Sequence, residues 1–268
     1  MNGILKVGEP LKRFEDESLL RGEGQFVDNL DMQDQVFLHF HRSVIAHGRI
    51  QAIHIEKARE MPGVIGIFSG KDLLEDGIRP IPVNMPFTRE DGSPATSAPY
   101  FPLATDAVRF AGQAVAMVIA ETAIQAEDAA ECIEVEYEEL PVLTSLAEAV
   151  KPDAPKIWEE ISDNVAAAKT LGNQEEVDAV FRKAHHITKL ELVNPRLIGN
   201  PIEPRTSICE YDPGSGRRTL HAGHQAPWRL KNGFAQMFQE DPEMFRIVVR
   251  DIGGGFGTKT PLYPEDAA

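Results

Sequence analysis

Cysteine is nearly missing from this 268-residue chain. Cys132 and Cys209 are the only two, far apart, and no C-x-x-C occurs. That excludes a disulfide framework and a thiolate zinc site, and leaves each thiol reading as a small buried hydrophobe. No run reaches the roughly 18 apolar residues that a membrane-spanning helix needs. The start, Met1 to Lys6, has no apolar core of a signal peptide, so the cytoplasm is the expected location. Positive charge is in deficit, with 27 Lys and Arg against 42 Asp and Glu and a net charge of −15. Nucleic-acid binding rests on neutralised phosphates, so that balance argues against a nucleic-acid partner.

Glycine, by contrast, is concentrated in one stretch, Asp251-Ile252-Gly253-Gly254-Gly255-Phe256-Gly257-Thr258-Lys259. The preceding Phe245–Arg250 has the β-branched content of a strand. Bare backbone after a strand tolerates positive φ, and successive N–H groups can converge on an anion. A phosphate, a pyrophosphate or a metal-oxo group would suit such a loop. A plain tight turn also fits the spacing; the embedded Phe256 argues against a flexible linker. The run is not G-x-G-x-x-G and does not continue as G-K-[ST], so the usual nucleotide loops fit poorly.

Length suggests about two domains, and 42% hydrophobic content supports a core of ordinary size. The first few residues are unpatterned, and Arg21–Asn29 reads as a loop ending in a turn. Val36–Arg42 alternates as a strand, with His39 and His41 on one face. No third ligand is near in sequence, so packed or surface histidines explain the pair. A short helix over Ile55–Met61 stops at Pro62-Gly63, a strand follows over Val64–Phe68, and Ser69–Asp72 opens another helix. Gly77–Pro102 is a long surface loop, of a length usually functional or disordered.

Ala114–Ala120 is a buried strand by its apolar run. Thr122 and Gln125 form a capping-box pair, in which the hydroxyl takes one free N–H and Gln125 reaches back to another. Ile133–Tyr137 alternates again, completing a strand–helix–strand unit. Glu134, Glu136, Glu138 and Glu139 read as the outward face of that strand rather than as metal ligands. Ser145–Asp163 reads as a linker. Asn173 caps a helix from Gln174 to about Ala184, with Val177, Val180 and Phe181 on one face. Ile187–Val193 looks like a strand, and Ser207–Tyr211 with Arg218–Ala222 like a hairpin around Asp212–Gly216.

Gln225 precedes a helix opened by Pro227, where its amide and nearby N–H groups either face a ligand or simply cap the helix. Gly233, inside that helix, costs about 1 kcal/mol relative to Ala and implies a close neighbour. Pro264–Ala268 is a first helical turn on which the sequence stops. One turn does not recover its nucleation cost, so the chain is expected to end inside a folding unit.

The glycine stretch resembles the pterin-binding loop of the xanthine dehydrogenase/aldehyde oxidase family, the molybdenum hydroxylases. Gly112–Ala116, Ala126–Ala130 and Val135–Pro141 are similar to that family's hammerhead domain. Arg42–Ile50 resembles its RS-x-x-AHA-x-I segment, and Asn200–Arg205 its NPMEPR stretch. The likeness runs from about Gly8 to Glu265. It implies an α/β (α+β) chain, with an a/b hammerhead domain over residues 8–144 and a linker over 145–172. The incomplete first part of a molybdopterin-binding domain would cover 173–268.

The resemblance further implies a molybdopterin, commonly the cytosine dinucleotide form in bacteria, and oxidative hydroxylation of an aldehyde, N-heterocycle or similar small substrate with oxygen from water. Expected partners are the C-terminal part of the molybdenum subunit, a [2Fe-2S] subunit and an FAD subunit. By position, Gln225 matches the glutamine that hydrogen-bonds a molybdenum oxo ligand. Gly254, Gly255, Phe256 and Gly257 match the backbone donors around the cofactor. Thr258 departs from a common Gly. Thr260 stands where purine-oxidising members carry a substrate-contacting Glu, which weighs against a xanthine-type substrate.

The family's glutamate base comes later in the chain, so no catalytic residue is assigned here and the polypeptide alone is expected to be inactive. The competing readings are a non-catalytic assembly module and, last, an unrelated nucleotide-binding domain.

Overall fold

A computed structural model describes residues 8, 10, 12–83, 85–161, 163–195 and 197–268. The unpatterned first few residues lie outside these, apart from Gly8 and Pro10. In chain order, helix α1 (Asp16–Leu20) precedes a 3-10 turn at Val27–Asn29. Strands β1 (Phe37–Arg42) and β2 (Gly48–His54), helix α2 (Glu56–Arg59), strand β3 (Val64–Ser69) and helix α3 (Gly70–Glu75) follow. After a long loop come β4 (Ala107–Val108), β5 (Ala114–Ala120), α4 (Ala123–Glu131), β6 (Glu134–Glu139) and α5 (Leu146–Ala149). The remainder is α6 (Gln174–Lys183), β7 (Ser207–Asp212), β8 (Arg217–Ala222), α7 (Pro227–Phe238), β9 (Phe245–Val248) and α8 (Pro264–Ala267).

The chain forms two compact units. One holds residues 34–198, 232–242 and 262–268; the other holds 1–33, 199–231 and 243–261.

The first unit carries two three-stranded sheets, ordered β1-β5-β3 and β4-β2-β6. Strand β5 is central, antiparallel to both neighbours, and its run Ala-Val-Ala-Met-Val-Ile-Ala is buried at every position but Ile119. Covered on both faces, it cannot alternate, which is why the sequence shows a continuous apolar run. Helix α4 presents Ala126, Ala129 and Ala130, all buried, and these small residues bring it close to Ile67, Ala116 and Val118. Its cap is half of the expected box. Thr122 Oγ1 accepts the Gln125 N–H at 3.2 Å, but the Gln125 amide oxygen takes the Thr122 hydroxyl at 2.9 Å instead of reaching back to the backbone.

The acidic row on β6 faces outward as expected. Glu134 meets Lys57 at 2.7 Å, and Glu136 meets His54 at 2.9 Å. The His54 pKa is raised, chiefly by the Glu136 hydrogen bond. A raised folded value means that this pair favours folding fully below the ordinary histidine pKa and loses that contribution as pH rises through the folded one. An NMR titration should place His54 above the usual histidine range in the native chain and back within it in Glu136→Gln. His41 Nδ1 lies 2.9 Å from the Ala130 carbonyl oxygen, a packing role. Among the described residues no group of three His, Cys, Asp or Glu side chains could hold a metal.

Gly70, buried at the start of α3, is tightly enclosed. A Cβ there would overlap the Ala104 carbonyl and come within 2.8 Å of Thr105 Cα. Backbone cannot swing aside, so Gly70→Ala should cost about 1–3 kcal/mol, as overpacking does. The urea midpoint measures it. Gly233 is explained similarly, since its Cβ would approach Leu262 Cδ1 to 2.9 Å.

One sequence expectation fails in this region. Ile187–Val193 forms no strand. A strand needs an edge to bond, and these residues have none in the structure. Leu190, Leu192 and Val193 are exposed instead, as are Val177, Val180 and Phe181 on α6. Strands β2 and β4, conversely, do not stand out in the sequence. β2 alternates weakly and owes its place to pairing with β4 and β6.

The second unit holds the sheet β7-β8-β9, with β7 and β8 antiparallel and β8 and β9 parallel. The hairpin turn is held by Asp212, whose carboxylate accepts from Gly214 N–H at 2.9 Å and Ser215 Oγ at 2.5 Å. Cys209 sits on edge strand β7 and is exposed, not buried as its residue type suggests. No described helix is long and apolar enough to cross a membrane.

Candidate cofactor-binding site

Strand β9 delivers the chain to Arg250 and Asp251, where Gln25 fastens it. The Gln25 N–H donates to Asp251 Oδ2 at 2.7 Å, the Asp251 N–H donates to the Gln25 carbonyl at 3.3 Å, and Arg250 donates to Gln25 Oε1. The glycine bend follows. Gly254 has φ +97°, Phe256 +49° and Gly257 +83°. Glycine adopts such angles freely. Phe256 does not, and a left-handed non-glycine residue costs on the order of 1–3 kcal/mol. Its side chain is 77% exposed, so the strain is not offset by burial of the ring. The bend closes as Thr258 donates its N–H (2.8 Å) and its hydroxyl (2.7 Å) to the Gly255 carbonyl.

Two side chains from elsewhere hold this bend. Glu203 lies in the proline-stiffened Asn200–Arg205 stretch. Its Oε2 accepts the Gly253 N–H at 2.7 Å and Lys259 Nζ at 2.6 Å. The Lys259 side chain is fully buried and that of Glu203 is 9% exposed. The second side chain is Gln225. Its N–H donates to the Lys259 carbonyl at 2.8 Å, and its Oε1 accepts the Gly257 N–H at 3.0 Å. A Cβ on Gly255 would overlap the Gln225 Cδ, so glycine there lets the carboxamide lie flat on the loop.

Gln225 does not cap α7. Its neighbour His224 holds the approach to that helix, Nδ1 accepting the Ala226 N–H at 3.0 Å. With Oε1 fixed by Gly257, the Gln225 amide keeps two N–H donors. Among the described residues, the N–H groups of Gly254, Gly255 and Phe256 also carry no hydrogen bond. The structure therefore brings Gln225 onto the predicted loop and leaves main-chain and carboxamide donors uncommitted. Such a set suits a polyanionic or oxo ligand, and the buried cation beneath the bend, Lys259, is already paired with Glu203. Sequence reasoning missed Glu203 and Lys259 as a pair. Both stand inside motifs singled out above, but 56 residues separate them.

Residues 21–141 match the family model described as aldehyde oxidase and xanthine dehydrogenase, a/b hammerhead domain. Residues 157–268 match the molybdopterin cofactor-binding domain. The class is thus a hammerhead domain joined to a molybdopterin-binding region, and the chain belongs to the xanthine dehydrogenase/aldehyde oxidase family of molybdenum hydroxylases. It is 33% identical to the carbon monoxide dehydrogenase large chain of Hydrogenophaga pseudoflava, over 93% of this chain and 31% of the relative. It is 29% identical to the nicotine 6-hydroxylase large subunit of Paenarthrobacter nicotinovorans, over 97% and 31%. Quinoline 2-oxidoreductase from Pseudomonas putida 86 superposes with a TM-score of 0.86 at 29% identity, over 97% of this chain and 32% of that one. The chain spans about a third of the length of the relatives it matches.

Proposed function

We propose that this chain contributes part of a molybdopterin site to a molybdenum hydroxylase large subunit acting on an aldehyde, N-heterocycle or similar small substrate. One observation carries the reading: three consecutive N–H groups, at Gly254, Gly255 and Phe256, make no hydrogen bond among the described residues and lie beside the carboxamide of Gln225. The residues present fit the group, since they offer neutral donors, while the Glu203 carboxylate is engaged by Lys259 and that of Asp251 by the Gln25 N–H. When bound, the molybdenum centre supplies two-electron oxidation with oxygen drawn from water. The chain's own share is placement and electrostatics. Gly254, Gly255, Phe256 and Gly257 would hold the cofactor by main chain, and the Gln225 amide would donate to an oxo ligand.

We take residues 8–144 as the hammerhead domain, 145–172 as the linker and 173–268 as the first part of the cofactor domain. The cofactor is proposed to be the cytosine dinucleotide form. A [2Fe-2S] subunit and an FAD subunit would carry the electrons away. The glutamate base would come from the part of the large subunit that these residues do not span, together with the other half of the cradle. Thr260 disfavours a purine.

The test is molybdenum and pterin analysis of the complex assembled with the rest of the large subunit. About one molybdenum and one molybdopterin per chain is expected, with a marked loss in Gln225→Ala. A complex that assembles yet never holds molybdenum would overturn the reading in favour of an assembly module.

A further inference from the structure

We propose that Glu203 is a positioning residue for the Gln225 carboxamide, acting through Lys259; the role toward a cofactor rests on the molybdopterin reading above. The connection runs through consecutive bonds. One carboxylate oxygen of Glu203 takes both the Gly253 N–H and Lys259 Nζ, so it closes the bend at its two ends. Glu203 also donates its own N–H to the Gly253 carbonyl at 3.3 Å. Lys259, so anchored, offers its carbonyl to the Gln225 N–H, and Gln225 returns its Oε1 to the Gly257 N–H.

Strand β8 and helix α7 fix the Gln225 backbone from either side, but the one hydrogen bond of its carboxamide among the described residues runs to Gly257, in the segment that Glu203 clamps. An exposed amide on an unclamped glycine loop would sample many positions, because glycine leaves the backbone the most freedom. The buried carboxylate removes that freedom from beneath, without touching the donors above it. The same bonds explain why the Lys259 charge is taken up in an internal pair: its work is mechanical.

A purely structural ion pair and a positioning one differ in a double replacement. Apolar residues in place of both partners of a buried pair commonly restore stability, yet they cannot clamp the loop. In Glu203→Leu/Lys259→Met the melting temperature should stay within a few degrees of the native chain. Amide exchange at Gly253 and Gly257, read by NMR on the labelled chain, should quicken at least tenfold, about 1.4 kcal/mol of lost protection. Molybdopterin content of the assembled complex should fall at least tenfold. Native exchange at Gly257, or full cofactor retention, overturns the proposal.

If the double variant does not fold, Glu203→Asp decides by the same two readouts, since it keeps the charge but shortens the clamp. If the native complex holds no molybdopterin, the cofactor reading falls, and exchange at Gly257 alone still decides whether Glu203 positions the carboxamide.

Discussion

Lys259→Met is expected to lower folding stability by about 3–5 kcal/mol, the range for breaking a buried ion pair from one side. The cause is what remains. The Glu203 carboxyl would be left without its cation at 9% side-chain exposure, with the Gly253 N–H as its remaining donor among the described residues. Urea denaturation of the native and variant chains measures the loss. A change below about 1 kcal/mol would place this pair with surface bridges and remove the buried-charge argument. The contrast within the same chain is Arg21–Glu17, whose side chains are 63% and 77% exposed. Breaking that pair should fall within about 0–1 kcal/mol.

Gly255→Ala should act on function far more than on folding. The added methyl would overlap Gln225 Cδ and stand 2.9 Å from its Cγ, so the carboxamide must move by about 1 Å. A misplacement of that size costs roughly 100-fold in rate where a group orients a reacting centre. On the proposed function, kcat/KM of the assembled complex should therefore fall about 100-fold while the melting temperature changes little, because Gln225 is exposed and its carboxamide can yield toward solvent at the expense of one hydrogen bond. Wild-type turnover in this variant would show that the Gln225 amide does not serve the reacting centre.

Much of the fold could be read directly. The buried run of β5, the alanine face of α4 and the hairpin around Asp212–Gly216 each follow from local pattern. What escaped reading depends on partners distant in sequence. β2 earns its regularity from β4 and β6, and Ile187–Val193 has the composition of a strand but no edge to join. The site divides the same way. The glycine bend and Gln225 were visible as local chemistry, and the structure brings them together. The Glu203–Lys259 clamp was not, because no local rule says which buried lysine will find which glutamate. Nor does composition foretell that Phe256 takes a left-handed backbone and leaves its ring in water.

The uncovered stretch from α6 through Ile198 has a practical consequence for anyone handling the chain by itself. Val180, Leu190, Leu192, Val193, Leu197 and Ile198 all stand open to solvent. Exposed apolar residues clustered in this way favour self-association. Clouding on concentration, relieved by charged replacements at Leu190 and Leu192, is the behaviour to plan around.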